Sequence, residues 1–404
     1  MKAPGTGGGL TFSDLHRAVA RDRYSDFLPL VAWVEEEEAF LCIDDGWGYA
    51  WELTPTAYMF AHVHQALLGL FNVQFPENSV VQLISFADPL IAPALDAYLD
   101  LKTRPDPLIQ ASARRTHAYL NEGRNGLGAL HGIPVRDFRT FLAVKTRAPM
   151  HSDLRRQIEE QLAKLGIRRV EPHEMISFYR RIFNGVFEDA PGVFASGAAG
   201  HPAPPIRKQI VDAGPDLAFD GPEVFLGGQV ARCLTPKAPA RRVTAEHMNR
   251  LMGRMRGSAE DSDQIGGPFL YCLNILFDHS QFEIHKRAQI LSAQKAAGSF
   301  AVEVGKQIEE IGWVLDEAGN SRFVSVMPTV WVFGRDSHHA REMAARAKRL
   351  WESEPLPWMV QEESYLNPIL LTASLPFGLY PERRTIKMLE RDFRRTGSRA
   401  RRTR

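Results

Sequence analysis

The chain has 404 residues, of which 44% are hydrophobic and 24% are charged. This composition is typical of a globular protein with two or three domains, and it excludes disorder along the whole chain. The longest apolar stretch, residues 269–277, is far shorter than the roughly 20 residues that a membrane-spanning helix needs. The glycine-rich N-terminus carries no apolar signal segment, so we expect a protein that is not secreted.

The three cysteines, Cys42, Cys233 and Cys272, are far apart in the sequence. An odd number of widely spaced cysteines is typical of reduced thiols in a cytoplasmic protein, and it argues against a disulfide framework or a zinc site.

The formal net charge of +1 hides a strongly basic C-terminal tail. Residues 383–404 contain ten Lys or Arg residues and two acidic ones, so the tail carries +8 and the remainder of the chain −7. Such a run is commonly a solvated chain end, but it can also contact nucleic-acid phosphates, an acidic partner or anionic lipid headgroups. The candidate contact residues are Arg391, Arg394, Arg395, Arg399, Arg401, Arg402 and Arg404.

The first 130 residues predict a small antiparallel sheet with helices on one face. Three β patterns, at residues 30–34, 39–43 and 47–53, are separated by an acidic turn and by Asp44-Asp45-Gly46, which is typical of hairpins. A helix is predicted over 57–71, a strand over 79–86, and two further helices over about 90–102 and 107–122. Glycines at positions 123, 126 and 128 end this N-terminal module, residues 1–130.

Residues 131–380 predict a second α+β module, followed by the basic tail, residues 381–404. The strands of this second module are expected over 135–146, 269–278, 327–334 and 357–361, the last as an edge strand. Its helices are expected over 153–165, 281–297, 300–311 and 337–351. Ser152 and Asp336 are the predicted helix caps. Residues 190–239 are rich in Gly, Pro and Ala, which indicates a linker or irregular insertion with a few short strands such as 207–212. The order is compatible with a ferredoxin-like unit that carries a large insertion.

A search for catalytic motifs finds none. The sequence contains no Gly-x-x-x-x-Gly-Lys-Ser/Thr, the phosphate-binding loop of many ATPases. Asp278, His279 and Ser280 are chain neighbours, whereas a hydrolytic triad is assembled from separated residues. We therefore expect no catalytic residue, cofactor or metal. An unrecognised enzyme with a cleft around His279 and His285 remains an alternative.

Several core and turn segments do resemble a known family. They are FLPL at 27–30, FLCIDDGWGYAWELTP at 40–55, VVQLISF at 80–86 with Gln82 inside it, VRDFR at 135–139 and SLPFG at 374–378. In this order they resemble the N-terminal region of the TraC-like conjugative transfer ATPases, the F-type branch of the pilus-assembly ATPases of type IV secretion systems. The resemblance covers nearly the whole chain, and its motifs are made of core and turn residues.

The resemblance implies a role in conjugation, DNA transfer and pilus assembly. It implies a cytoplasmic scaffold, peripheral to the bacterial inner membrane, that docks an ATPase motor there and forms a homo-oligomer in the assembled machine. The implied partners are inner-membrane components of the secretion machine and a separate or missing motor half. No catalytic residue of the family can be assigned, because the nucleotide-binding motifs are not in this sequence.

A second functional class remains open. The basic tail could make the chain a nucleic-acid-binding adaptor of a mobile element, with non-specific DNA or anionic lipid as its ligand. Between residues 391 and 404, Phe393 is the only aromatic residue, so base stacking is poorly supported.

Overall fold

The computed structural model describes residues 24–54, 61–128, 132–187, 205–211, 217–238, 264–277, 286, 288–294, 301–317, 325–353 and 358–378. The strands are β1 Leu30–Val34, β2 Ala39–Cys42, β3 Trp47–Leu53, β4 Val80–Asp88, β5 Asp137–Thr146, β6 Arg168–Arg169, β7 Ala218–Asp220, β8 Glu223–Leu226, β9 Gln229–Ala238, β10 Phe269–Leu276, β11 Ser325–Gly334 and β12 Met359–Glu362. The helices are α1 Ala61–Asn72, α2 Ala92–Asp100, α3 Pro107–Glu122, α4 Ser152–Leu162, α5 Pro172–Phe183, α6 Ala301–Glu317, α7 Ser337–Trp351 and α8 Asn367–Ala373.

These strands form one antiparallel sheet. Its order is β1-β2-β3-β5-β4-β10-β11-β9-β8-β7, with β6 paired to β3 and β12 paired to β9. The central strands are long, and β4 pairs with β5 from Val80 opposite Lys145 to Asp88 opposite Asp137. The α+β class with antiparallel pairing is therefore confirmed.

Helices cover both faces of the sheet, whereas the sequence predicted helices on one face. Along β5, Phe141 and Ala143 belong to a core with α5 and α8, while Leu142 and Val144 belong to a core with α1 and α4. A third cluster packs α7 against β9, β10 and β11. Strands that are apolar on both sides, such as β4 and β10, need such a cover on each face.

The sheet curves around the core that contains α5 and α8. This core receives side chains from near both ends of the strand order, namely Leu30 of β1 and Leu226 of β8. The ring centroid of Tyr24, ahead of β1, lies 5.7 Å from that of Phe219 in β7. The two edges of the sheet therefore approach each other and enclose α5 and α8.

Several predicted elements have the bounds that the sequence indicates. The strands β1 and β3 and the helix α3 coincide with their predicted ranges, and α7 ends at Trp351 as expected. The Asp336 carboxylate accepts a hydrogen bond of 2.8 Å from the backbone amide of His339, so this cap is confirmed. At α4, Ser152 is the first helical residue and His151 is the cap instead, with Nδ1 accepting from Asp153.

Other predictions match the structure only in part. The strand expected over 207–212 is not formed at its start, because residues 207–209 belong to a 3₁₀ turn, Ile206–Gln209, that follows Pro205. Residues 217–238, expected as irregular chain with a few short strands, contain the short strands β7 and β8 and the ten-residue strand β9, which pairs with β8, β11 and β12. Gly221, Gly227 and Gly228 occupy the tight turns between these strands with positive φ.

The second half does not close into a ferredoxin-like sheet of its own. Its first strand, β5, pairs on both sides with β3 and β4 from the first 130 residues. Whether residues 1–130 and 131–380 fold as separate units stays a prediction. The predicted insertion at 190–204 and the tail at 381–404 lie outside the described residues. Within the described ranges, no helix combines the length and the hydropathy of a membrane span.

Candidate functional site

Residues 374–378, here named the closing segment, lie against the middle of the sheet. They carry the SLPFG motif and come directly after α8. The side chain of Gln82 in β4 contacts this part of the chain. Its amide nitrogen lies 3.0 Å from the carbonyl oxygen of Ala373 and 3.1 Å from that of Leu375. Its Oε1 accepts a hydrogen bond of 2.6 Å from the amide of Phe377. One glutamine in the fourth strand thus contacts three backbone groups almost 300 residues later in the chain.

Two neighbouring strands add further polar contacts to the same segment. Asn274 of β10 donates to the carbonyl oxygen of Ala373 at 3.1 Å and accepts from Gln82 at 2.8 Å. The indole nitrogen of Trp331 donates to Ser374 Oγ at 3.0 Å, and Thr329 Oγ1 lies 2.8 Å from the same oxygen. All of these side chains are buried, so each unmade hydrogen bond here would cost free energy.

Phe377 adopts a backbone conformation that bulky residues rarely have. Its φ is +65°, and its side chain is fully buried. The ring lies on Gly48 of β3, where an added Cβ would come within 2.8 Å of it, and its centroid is 5.6 Å from that of Phe40. Strained residues of this kind persist only where the surroundings determine their conformation, and here the hydrogen bonds and the ring contact do so.

A buried lysine joins the closing segment to the turn between β2 and β3. Lys145 Nζ donates to the carbonyl oxygen of Phe377 at 3.1 Å and lies 2.7 Å from the carboxylate of Asp44. Its side chain is only 1% exposed, so the ion pair with Asp44 is largely shielded from water. The DDG turn and the SLPFG motif, distant in sequence, therefore meet at one site.

The contacts around the closing segment fix it to the sheet. Among the described residues, the acid, hydroxyl and thiol groups of this site are either paired or buried. The acid at this site, Asp44, is paired with Lys145, and Tyr179 donates from its hydroxyl to the carbonyl oxygen of Pro376 at 2.5 Å. Burial raises the pKa of the Cys42 thiol to about 12 and that of Cys272 further, which keeps both thiols protonated and unreactive. The described part of the chain contains no cluster of His, Cys, Asp or Glu that could hold a metal ion.

A second buried charge cluster lies at the end of β4. Asp88 accepts from Arg181 of α5 at 2.9 Å, and Arg181 also donates to the carbonyl oxygen of Gly185 at 3.0 Å. Asp137 lies opposite Asp88 in the β4–β5 register. Burial, with the nearby charges of Asp88 and Glu52, raises the pKa of Asp137, and Arg139 lowers it only in part. The cluster ties α5 to the sheet.

A cleft beside β2 and β3 has an aromatic wall. It is lined by Trp33, Phe40, Tyr49 and Trp51. Its arginines are already paired: Arg155 lies 3.1 Å from Glu38, and Arg169 lies 2.7 Å from Glu159. Because these cations are neutralised within the chain, the cleft has no charge left to attract an anionic ligand.

The predicted contact residues of the tail stay a prediction. The tail arginines Arg391, Arg394, Arg395, Arg399, Arg401, Arg402 and Arg404 lie outside the described residues, as do His279 and His285. The resemblance motifs pointed to Gln82, Gly48 and the closing segment, and the structure brings these together. Lys145 and Trp331 were missed, since nothing in a strand sequence marks a polar contact to a distant segment. Asn274 interrupts an apolar run, which is the signal that could have identified it.

Comparison with known proteins identifies the family of the chain. The family model described as TraC protein matches residues 24–379, which include every residue of the site above. No curated protein matches the chain. Because the match covers most of the sequence, the chain belongs to the TraC family of F-type conjugative transfer proteins and is a protein of conjugation and type IV secretion.

Proposed function

We propose that the chain is a scaffold and docking region of a conjugative transfer machine, without a nucleotide site of its own. The observation that carries this proposal is the closing segment. It ends in Gly378, whose position is so tight that an added Cβ would come within 1.6 Å of the carbonyl oxygen of Thr372. Because the closing segment is fixed on the sheet, a domain that is joined to it, or a partner that binds beside it, would be held in a defined position relative to the sheet.

The chemistry of the sequence supports the absence of a nucleotide site. Phosphoryl transfer needs converging backbone amides, a lysine that reaches the phosphates and a hydroxyl that holds magnesium. No stretch of the chain supplies this set. The lysine at the centre of the candidate site, Lys145, is buried and paired with Asp44, so it is not available to a phosphate.

The proposed location is the cytoplasmic side of the bacterial inner membrane, where the chain is a peripheral protein. The proposed partners are inner-membrane components of the type IV secretion machine, a separate ATPase motor half, and further copies of the chain. Membership of the TraC family supports partners from such a machine. Several copies in one assembly would multiply weak individual contacts into firm attachment.

A mating assay with a flexible insertion tests the proposal. Removal of the gene from donor cells should abolish transfer, and the intact gene should restore it. Ten Gly and Ser residues inserted after Gly378 should lower transfer about tenfold or more, because a flexible linker uncouples the closing segment from the residues after it. The same insertion at residues 197–198, in the Gly/Pro/Ala-rich stretch, is the matched control. Transfer that is unaffected by loss of the gene would contradict the proposal.

The second candidate function, a nucleic-acid adaptor, is favoured by the charge of the tail alone. Ten Lys or Arg residues in 383–404 would bind phosphates with strong salt dependence. Deletion from Arg394 onward should leave the melting temperature unchanged and weaken binding to DNA or anionic lipid, most of all at low salt. Tight DNA binding that survives the deletion would favour a folded nucleic-acid site instead.

A further inference from the structure

Two leucines at the outer end of the α2–α3 hairpin are almost fully exposed. Leu101, which follows α2, is 79% exposed, and Leu108, in the first turn of α3, is 78% exposed. Removal of a leucine side chain from water is favourable, so a surface that covers both leucines would gain free energy of binding. We name the loop with both leucines, residues 101–108, the hairpin tip.

The hairpin tip is held in one conformation. The side-chain amide of Gln110 donates to the carbonyl oxygen of Lys102 at 2.5 Å and to that of Arg104 at 3.0 Å. The Asp106 carboxylate caps α3 by accepting from the amide of Leu108 at 2.9 Å. The loop that carries the leucines is therefore ordered before any ligand binds, so binding loses little further conformational entropy.

The hairpin stands away from the sheet. In the 16-residue helix α3, Ala113 is the one buried residue, and the contact with α2 includes a 3.1 Å bond between His117 and Asp96. The base of the hairpin is fixed at Gly123, whose carbonyl oxygen accepts from Val135 at 2.8 Å. The leucines therefore lie at the end of the hairpin that is opposite its anchor at Gly123.

Cations accompany the leucines. Lys102 and Arg104 lie between them in the loop, whereas the carboxylate of Asp106 is engaged as the helix cap. Asp106 keeps its negative charge as the cap and exposed Asp100 is a second anion, so residues 100–108 carry no net charge, and attraction to headgroup phosphates depends on the placement of Lys102 and Arg104 between the leucines. Seven and eleven residues after Leu108, Arg115 and Tyr119 share its exposed helix face, at about 10 and 16 Å along the helix. Leucine at the tip with Lys, Arg and Tyr behind it is the order of side chains that a membrane interface favours.

We infer that the hairpin tip inserts Leu101 and Leu108 into the outer acyl region of an anionic lipid bilayer, with Lys102 and Arg104 at the headgroup phosphates. This inference rests on the proposed location at the inner membrane and names the part of the chain that makes the contact. A flat lipid surface can cover both leucines at once. One tip binds weakly, and the copies of an assembly bind firmly together.

A fluorescent label at the hairpin tip tests this inference. The native cysteines Cys42, Cys233 and Cys272 are all buried, so the variant Leu101→Cys can be labelled selectively with a polarity-sensitive dye. Vesicles containing phosphatidylglycerol should shift the emission of the dye to shorter wavelength, and pure phosphatidylcholine vesicles should do so less. The control variant Tyr365→Cys, labelled at a residue that is 61% exposed on another element, should show no shift.

Vesicle sedimentation separates the hairpin from the basic tail. The double variant Leu101→Asp/Leu108→Asp should reduce the bound fraction about tenfold at high salt, where screening weakens attraction by the tail. The variant Met359→Asp/Tyr365→Asp, at two other exposed positions, should bind as the unchanged chain does. Equal binding by both double variants would overturn the inference. If that binding is salt-sensitive, the proposed location at the membrane would still stand, with the basic tail as the contact. A dye shift without vesicles that grows with protein concentration would show that a second copy covers the tip, and would also overturn the inference.

Discussion

The side chain of Gln82 illustrates how single polar residues fix distant parts of this chain. It lies in a strand that is otherwise apolar, and its amide contacts the backbone of Ala373, Leu375 and Phe377. Sequence analysis singled out Gln82 within a resemblance motif but gave it no partner. A strand pattern indicates which face a residue occupies, and it contains no information about a segment that returns almost 300 residues later.

Replacement of this glutamine should destabilise the fold. In Gln82→Leu, the buried amide of Phe377 loses the oxygen that accepts from it. The carbonyl oxygens of Ala373 and Leu375 each lose one of their donors, so the free energy of unfolding should fall by about 1–3 kcal/mol. Chemical denaturation of the variant and the unchanged chain measures the difference. Gln157→Leu, at an exposed position of α4, is the matched control and should change stability by less than about 0.5 kcal/mol. Similar stability of both variants would show that the closing segment does not depend on Gln82.

The pair of acids Asp88, at the end of β4, and Asp137, at the start of β5, gives a prediction with a defined pH dependence. The folded state raises the pKa of Asp137, so it binds the proton more tightly than the unfolded chain and is weakened when the carboxyl ionises. Asp137→Asn should therefore raise the melting temperature at pH 7. The gain should disappear as the pH falls below about 3.9, where the carboxyl is protonated in both states.

The neighbouring carboxylate provides the contrasting variant. Asp88→Asn leaves the buried guanidinium of Arg181 without its charged partner and should cost about 3–5 kcal/mol at pH 7. Thermal unfolding followed from pH 3 to pH 8 compares the two variants. If both changes destabilise the chain equally, the ionised carboxylate of Asp137 does not weaken the fold at pH 7, which contradicts the prediction.

At the scale of single elements, local signals in the sequence predicted bounds well where a turn or a cap marks them. The turn Asp44-Asp45-Gly46 separates β2 from β3, and Asp336 begins α7. The helix α5 has a one-sided apolar pattern, with Met175, Phe178 and Ile182 among its seven buried residues, whereas the short helix α8 is almost wholly buried and shows no such pattern. Their positions depend on the curved sheet that surrounds them, which no local pattern describes.

The cap of α3 is a test of one such local signal. Asp106→Ala removes the oxygen that accepts from Leu108 and should lower the free energy of unfolding by about 1 kcal/mol. Hydrogen exchange should become faster in the first turn of α3 before any change appears at Ala113. Asp100→Ala, an exposed acid in the last turn of α2, is the control. Equal exchange rates in both variants would mean that Asp106 does not begin the helix.

At the scale of the whole molecule, pairing between distant strands decides the architecture. β4 lies between β5 and β10, so it pairs with one strand near it in the sequence and with one that follows about 180 residues later. The sequence predicted β1 to β5 and β10 to β12, but the order of the strands across the sheet depends on contacts of high sequence separation. The division into two modules stays a prediction, and the structure shows that strands from both predicted ranges lie in one sheet.

Limited proteolysis tests the predicted organisation. From composition we expect the first cuts near residues 190–205 and after Arg383. A chain cut near residue 130 should remain associated, because β4 and β5 pair along their whole length across that boundary. Mass spectrometry of the fragments after gel filtration measures both results. Early cleavage within β10 would contradict the assignment of Phe269–Leu276 to the core.

The measurement that tests the central proposal most directly is ATP turnover by the purified 404-residue chain with magnesium. A scaffold without a nucleotide site should release no phosphate above the buffer control, and ATP should not shift its melting temperature, because a bound ligand stabilises the folded state. Magnesium-dependent turnover that follows the protein through successive purification steps, together with stabilisation by ATP, would contradict the proposal.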